Sequence, residues 1–473
     1  MRLSTRTNEL PTILLISLSL FVSSAISGFA QSSNSSPLPQ APNAKIIQIS
    51  PEGYFSEPSI AINPTNSQQV TAVYQTNAAA VHSTDAGEHW TRAEGTVSKS
   101  YRVSGDVSVA YDNQGHAILC YIAFDKLGTA DYWGHNATRN GIFIHRSLDG
   151  GKTWEEHEVV VDSQTTKPGI PFEDKPYIVS DITHSRYAGN LYIGWTEWRL
   201  TESVMLFSRS TDGGKTWSKP IDISDHHGLP RDDNGGVEGF TGTVTPDGVL
   251  HVVWTNGNQI VYTYSRDGGK TFAPTREIIR TAPAFFKPSD VYRANGFPEI
   301  GSDSHGSKNG GKLYVTWSDY RNGDIDIFES YSNDSGRHWS KAVRVNNDPV
   351  HDGADQFFQW LAVDGKDRAV NILFYDRRQD SLNRRATVVL ARSTDGGKSF
   401  INYQWSDSSF NPADAFLGDY TGIAAYDGRV YGVWTEQIAK NPKGRHDTVV
   451  KVGMADFNGE AVNSEQRTVN RKQ

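Results

Sequence analysis

The apolar residues of this chain fall in short runs separated by turns, and no stretch of useful length keeps a helical spacing. The runs come in pairs. A first run is followed by a turn rich in Gly, Asn or Asp, then by a second run that ends on an aromatic and a polar residue. The pairs begin at Glu57, Gly105, Asp174, Glu238, Phe297, Phe358 and Asp419, and their second runs cover 70–75, 117–122, 191–197, 250–256, 313–319, 370–376 and 430–436. Val, Ile, Tyr and Trp concentrated between turn residues is strand chemistry, so the pattern predicts an all-β chain built on seven inner strand pairs.

A second pattern follows six of the pairs. Ser-x-Asp-x-Gly-x-x-aromatic occurs at 83–90, 147–154, 210–217, 265–272, 332–339 and 393–400, with successive serines 64, 63, 55, 67 and 61 residues apart. Each copy reads as a self-capped β-turn. Gly takes the positive φ, the Asp carboxylate accepts from backbone N–H groups of its own loop, and the closing Trp or Phe buries its ring beneath the turn. One turn repeated at this period marks a radial or stacked repeat protein. The seventh pair runs on into 447–456, where the turn motif is degraded, and Lys45-Ile-Ile-Gln-Ile is positioned to donate the last outer strand. The expected architecture is a single β-propeller over 44–460, with seven blades of four antiparallel strands; six blades is the alternative.

The turn motif is the Asp-box, and the chain resembles the sialidase superfamily of propellers, also called BNR-repeat proteins. The resemblance implies that the boxes lie on outer turns away from the active face. It also implies a Tyr nucleophile assisted by Glu, an Asp acid/base, and three arginines that clamp a substrate carboxylate. The segment Tyr420-Thr-Gly-Ile-Ala-Ala-Tyr-Asp-Gly resembles the one that carries the Tyr, Glu238 stands where the Glu is expected, and Asp106 is the candidate acid. The arginines depart from the pattern. Phe55-Ser-Glu-Pro-Ser replaces the Arg-Ile-Pro signature of the first inner strand, and Thr255-Asn256 stands where another arginine belongs.

In a propeller the residues just before the first and just after the second strand of each blade share one face. Around that mouth the sequence places Glu57, Asp106, Asp174, Glu238, Glu299, Asp355 and Asp419, then Glu197, Asp319, Asp376 and Glu436, with Arg321, Arg377 and Arg378 and the aromatic Trp198 and Tyr320. Carboxylates, arginines and aromatic faces together suit a sugar. The expected substrate-binding set is Arg321, Arg377, Arg378, Asp376, Asp355, Asp174, Glu57, Asp419 and Trp198. The reading is an exported protein that hydrolyses glycosidic bonds. A non-catalytic propeller binding a glycan or a protein, and a polysaccharide lyase, are the alternatives.

The remaining features adjust this picture. A formal net charge of −8 argues against nucleic acid as a partner. Asp232-Asp-Asn-Gly-Gly and His226-His227 each lack a full ligand set, so no metal and no cofactor is expected. The one cysteine, Cys120, sits in an apolar run and reads as a buried strand residue. Arg2 and Arg6, the apolar stretch 13–22 and Gly28-Phe29-Ala30 read as a signal peptide cleaved after Ala30, followed by a disordered polar leader at 31–43. Residues 461–473 read as a polar tail, no segment reads as a membrane span, and the expected state is a monomer.

Overall fold

Every blade folds the same way, because each repeat supplies two buried strands and two progressively more polar ones. The computed structural model describes residues 37–127, 136–167, 170–231, 235–282, 285–286, 288, 290–303, 311–413, 415–438 and 446–458. Seven four-stranded antiparallel sheets follow one another in chain order. Their innermost strands are Ser56–Ile62, Val103–Tyr111, Phe172–Ser180, Val237–Val244, Glu299–Ser302, Gln356–Val363 and Gly422–Tyr426. Each touches the next, and the last touches the first, so the sheets form a closed ring. Blade seven is completed from the other end of the chain: Lys45–Gln48 pairs antiparallel with Thr448–Asp456 in the register Lys45↔Met454 to Gln48↔Lys451. This confirms seven blades, and the strand at 45–48 closes the ring.

The core lies between blades. The fifth residue of each second strand is aromatic in all seven repeats: Tyr74, Tyr121, Trp195, Trp254, Trp317, Phe374 and Trp434, each at most 1% exposed. Rings of this size bury about 150–250 Å² each, so this one position supplies a large share of the packing. Cys120 is fully buried next to Tyr121, as its apolar surroundings predict.

The Asp-boxes fold as their chemistry dictates. In blade three Ser210 Oγ donates to Asp212 Oδ1 (2.8 Å), Gly214 N–H donates to Ser210 Oγ (2.9 Å), and Thr216 donates through N–H (3.0 Å) and Oγ1 (2.6 Å) to the Asp212 carboxylate. Strands alternate in direction, so these turns between third and fourth strands lie at the end of the ring opposite the starts of the inner strands. Asp212→Ala removes three acceptor contacts from an exposed turn and is expected to cost about 1–2 kcal/mol, read as a lower urea midpoint with an unchanged slope.

Residues 39–42, placed in the leader by their composition, instead pack on blade six. Ala41 is buried and its N–H donates to the Gln404 carbonyl, while Gln404 N–H donates to the Pro39 carbonyl. The expected signal peptide and the polar tail lie outside the described residues, as do Asp232, Asp233 and Asn234. Among the described residues no helix is long and apolar enough to cross a membrane.

Candidate functional site

Five inner strands carry a bulge at the same place. The register slips between Ser56 and Ser59, Gly105 and Ser108, Asp174 and Tyr177, Glu238 and Thr241, and Phe357 and Trp360. One residue in each bulge has positive φ: Glu57 (51°), Asp106 (44°), Lys175 (49°), Gly239 (78°) and Phe358 (54°). Left-handed backbone at a non-glycine residue is strained, and bulges re-aim side chains. Here they put a carboxylate, a carboxylate and an ammonium from blades one, two and three on one cluster. Hydroxyls hold neighbouring bulges together: Ser108 Oγ donates to the Pro176 carbonyl, Thr241 Oγ1 to Pro298 and Thr421 Oγ1 to Phe358.

Asp174, Asp106 and Glu57 form a chain of hydrogen-bonded carboxyl groups. Such a chain exists only while it keeps protons, because like charges at this spacing cannot all ionise. Burial, then the charge of Asp419, pushes Glu57 up to about 7 against the pull of Lys175. Burial, then Glu57, pushes Asp106 up to about 8. Burial, then Asp106, holds Asp174 well above the usual carboxylate range, where Trp198 Nε1 donates to it at 2.7 Å. Asp106 and Asp174 are only partly buried, so the chain is open to the ring's interior.

Blade seven and the loop before blade five close the cluster. The backbone at Gly418 passes so near Glu57 that a Cβ there would collide with it, at φ +98°, so only glycine fits. Asp419 N–H then donates to Glu57 Oε1 at 3.2 Å. A short ribbon, Phe285–Phe286 with Ala294–Asn295, brings in Arg293 and Asn295. Arg293 grips the Asp419 carboxylate through Nε (2.6 Å) and Nη2, and Asn295 Nδ2 adds a bond at 2.8 Å. Burial raises Asp419, but Arg293 and Lys175 outweigh it and keep it below the ordinary range. Lys175 Nζ, buried and without a hydrogen-bond partner, lies 4.0 Å from Asp419 and over the rings of Phe297 (4.2 Å) and Tyr420 (4.5 Å). Burial also holds Glu299 well above its usual range, opposed by Lys175.

The Tyr420 ring packs on Trp360 at 5.6 Å, and its hydroxyl donates to the Val107 carbonyl at 3.0 Å. Its expected pairing with Glu238 is therefore replaced at the hydroxyl by a backbone acceptor. Burial, then Glu57, Asp106, Asp419 and Asp174, pushes the phenol well above its usual range, so it keeps its proton. Glu238 is buried, and its own carbonyl accepts from Thr255 Oγ1.

The structure thus brings together Glu57, Asp106, Asp174, Trp198, Asp419 and Tyr420 from the expected set. Other expected residues are committed to partners of their own. Arg321 forks onto Asp319 and covers the Phe328 ring. Arg378 is held by Asp376 (2.6 Å), Asn347 and Asn402. Asp355 caps Ile325 N–H and accepts from Asn383 Nδ2, and Arg377 lies fully buried over Phe357, donating to the Asn383 carbonyl. Their acid and base are two residues apart (Asp319 and Arg321, Asp376 and Arg378), a spacing that closes on itself before it can clamp a ligand. Lys175, Arg293, Asn295, Phe297 and Trp360 were not anticipated. Lys175-Pro176 repeats Glu57-Pro58 one residue beyond Asp174, and that was the available signal.

Residues 208–219, which hold the blade-three box, match the BNR/Asp-box repeat family. An 89-residue stretch is 37% identical to the sialidase of Micromonospora viridifaciens, covering 17% of this chain and 14% of that one. The chain is a propeller that carries Asp-box repeats and is similar, over that stretch, to a sialidase. Its match spans about a seventh of that sialidase's length. Distant likenesses among solved structures include an α-L-arabinofuranosidase of Fusarium graminearum (15% identity, 73% of this chain and 96% of that one, TM-score 0.49). A polysaccharide lyase acting as an ulvan lyase is similar at 12% identity over 86% of this chain and 95% of that one, with TM-score 0.48. Neither likeness is close enough to bear on what this Asp-box propeller does.

The carboxyl chain has a consequence for stability. The folded propeller binds the Glu57 and Asp106 protons more tightly than an unfolded chain, whose carboxyls titrate near ~4. Their contribution to stability is fully present below about pH 4 and is lost as pH rises through about 7 and about 8. Asp106→Asn is expected to flatten the fall in unfolding midpoint between roughly pH 5 and 8, measured by denaturant titration across that range.

Proposed function

We propose that the protein is an exported carbohydrate-active propeller that hydrolyses glycosidic bonds at the mouth, with Asp106 as proton donor. The observation that carries this reading is the Asp174–Asp106–Glu57 carboxyl chain at the inner ends of blades one to three. Hydrolysis of a glycoside commonly needs one carboxyl that is still protonated near neutral pH and a second that is ionised. Asp106 fits the first role; Glu57, which loses its proton first, touches Asp106 directly and sets its proton, since the second carboxyl of such enzymes stands roughly 5–10 Å away across the bond. Asp174 re-supplies the proton from behind Asp106. Lys175 and Arg293 offset the charge that develops as Glu57 ionises, and the half-buried Tyr177 offers ring surface to a sugar. Tyr420 acts here as a positioning residue, bracing the Asp106 bulge through the Val107 carbonyl.

The lyase alternative needs a Tyr that gives up its proton to act as base, and the acids around Tyr420 oppose that. Export rests on the N-terminal sequence alone and is read by N-terminal sequencing of the secreted product, which should begin at Gln31. The functional test is a screen of the purified protein against aryl glycosides and polysaccharides, with Glu57→Gln and Tyr420→Phe alongside. Turnover that Glu57→Gln lowers while Tyr420→Phe largely spares it is the expected result. Binding without any bond cleavage across the panel would sink the hydrolase reading and leave a glycan-binding propeller.

A further inference from the structure

At the end of the ring that carries the Asp-boxes, turns of neighbouring blades touch. Asn63 Nδ2 of blade one donates to the Gly115 carbonyl of blade two, Arg368 of blade six reaches Asp303 of blade five, and Asp364 of blade six accepts from Asp427 N–H (3.0 Å) and Gly428 N–H (2.8 Å) of blade seven. Between blade seven and blade one, at the seam where the chain closes, a cavity of about 190 Å³ stands instead. At roughly 30 Å³ per water it holds about six, the room of one small ring and not of an extended chain.

The walls are set by strand geometry. Tyr426 and Arg429 are cross-strand partners flanking the two-residue turn Asp427-Gly428, whose φ values are both positive, as tight hairpins require. Paired residues and those two further on share a face, so Tyr426, Arg429 and Tyr431 all look toward blade one, where the Tyr431 hydroxyl donates to the Ala86 carbonyl. Ser67 and Gln68 of blade one form the opposite wall. The turn is fixed from both sides, by Asp364 and by Asn458 Nδ2, which donates to the Asp427 carbonyl at 2.6 Å. Tyr426 is 38% exposed. The charges are already matched: Lys366 pairs with Asp427 at 2.7 Å, and Asp456 lies 3.4 Å from Arg429.

We infer that this seam cavity is a second, non-catalytic site that holds one uncharged sugar unit of a glycan. A mostly polar pocket with amide and hydroxyl groups and internally neutralised charges suits a ligand that offers many hydroxyls but no net charge. It lies on the face opposite the mouth, so it would tether a glycan without competing for the mouth.

Saturation-transfer NMR on the full chain with the methyl glycosides of glucose, galactose, mannose and xylose, at millimolar concentration, tests this. The expected result is transfer to at least one glycoside that falls tenfold or more in Tyr426→Ala and in Ser67→Trp, which fills the cavity from the other wall. Transfer unaffected by both seam variants, or to none of the glycosides, overturns the proposal. Transfer that survives both seam variants assigns the sugar to the mouth, which overturns the seam site but leaves the hydrolase reading standing.

Discussion

Turnover by Asp106→Asn is expected to fall by about 10²–10⁴-fold with KM little changed, as for removal of a general acid that acts in the transition state. Asparagine has the shape of the aspartyl group and keeps acceptor and donor atoms toward Glu57 and Asp174, so the bulge is preserved. What is lost is the acidic proton. The same variant should be more stable than the parent at pH 8, where the parent must hold a partly ionised carboxyl chain in a buried setting. Opposite movements of activity and stability separate loss of chemistry from misfolding. The alkaline limb of the parent's pH profile should reflect release of the proton from the group pushed up to about 8, and this limb should vanish with the residual activity of Asp106→Asn. A drop in activity accompanied by a lower unfolding midpoint at pH 8 would point to structural damage instead.

Removing residues 37–48 is expected to have the largest effect on folding. The segment supplies the fourth strand of blade seven and the contacts of Ala41 with blade six. Two half-buried isoleucines at about 1.5 kcal/mol each and a short ladder at about 0.5–1 kcal/mol per bond give on the order of 5 kcal/mol, comparable with the stability of many domains. The loss also leaves Thr448–Asp456 as an open apolar edge, which invites pairing between chains. The shortened protein should lack a cooperative thermal transition and elute as aggregates on gel filtration. A folded monomer with a sharp transition would show that the ring does not depend on this closure.

The fold was legible because its cause is local and repeated. The Asp-box chemistry is complete within eight residues, and an aromatic at the fifth place of each second strand recurs seven times. Blade closure was legible too, since Lys45-Ile-Ile-Gln-Ile had the pattern of a strand and the seventh blade lacked one. The site was legible where it depended on strand starts: Glu57, Asp106, Asp174, Asp419 and Tyr420. It was not legible where a bulge or a loop decided the outcome. Aligning repeats on acids selected Asp174, whereas the bulge gives its axial position to Lys175. Arg293 and Asn295 come from a long connection whose path no local pattern dictates. The arginines at 321 and 378 looked like a clamp because their type was read without their spacing to the nearest acid.

We propose that a glycan is processed at the mouth of the ring, at the Asp174–Asp106–Glu57 chain. A crystal structure of Asp106→Asn with an oligosaccharide chosen from the panel tests this most directly. The expected result is a sugar seated over residue 106, with a glycosidic oxygen within hydrogen-bond reach of its side chain and hydroxyls near Lys175 and Arg293. Sugar bound only away from the mouth, with the carboxyl chain untouched, would contradict it.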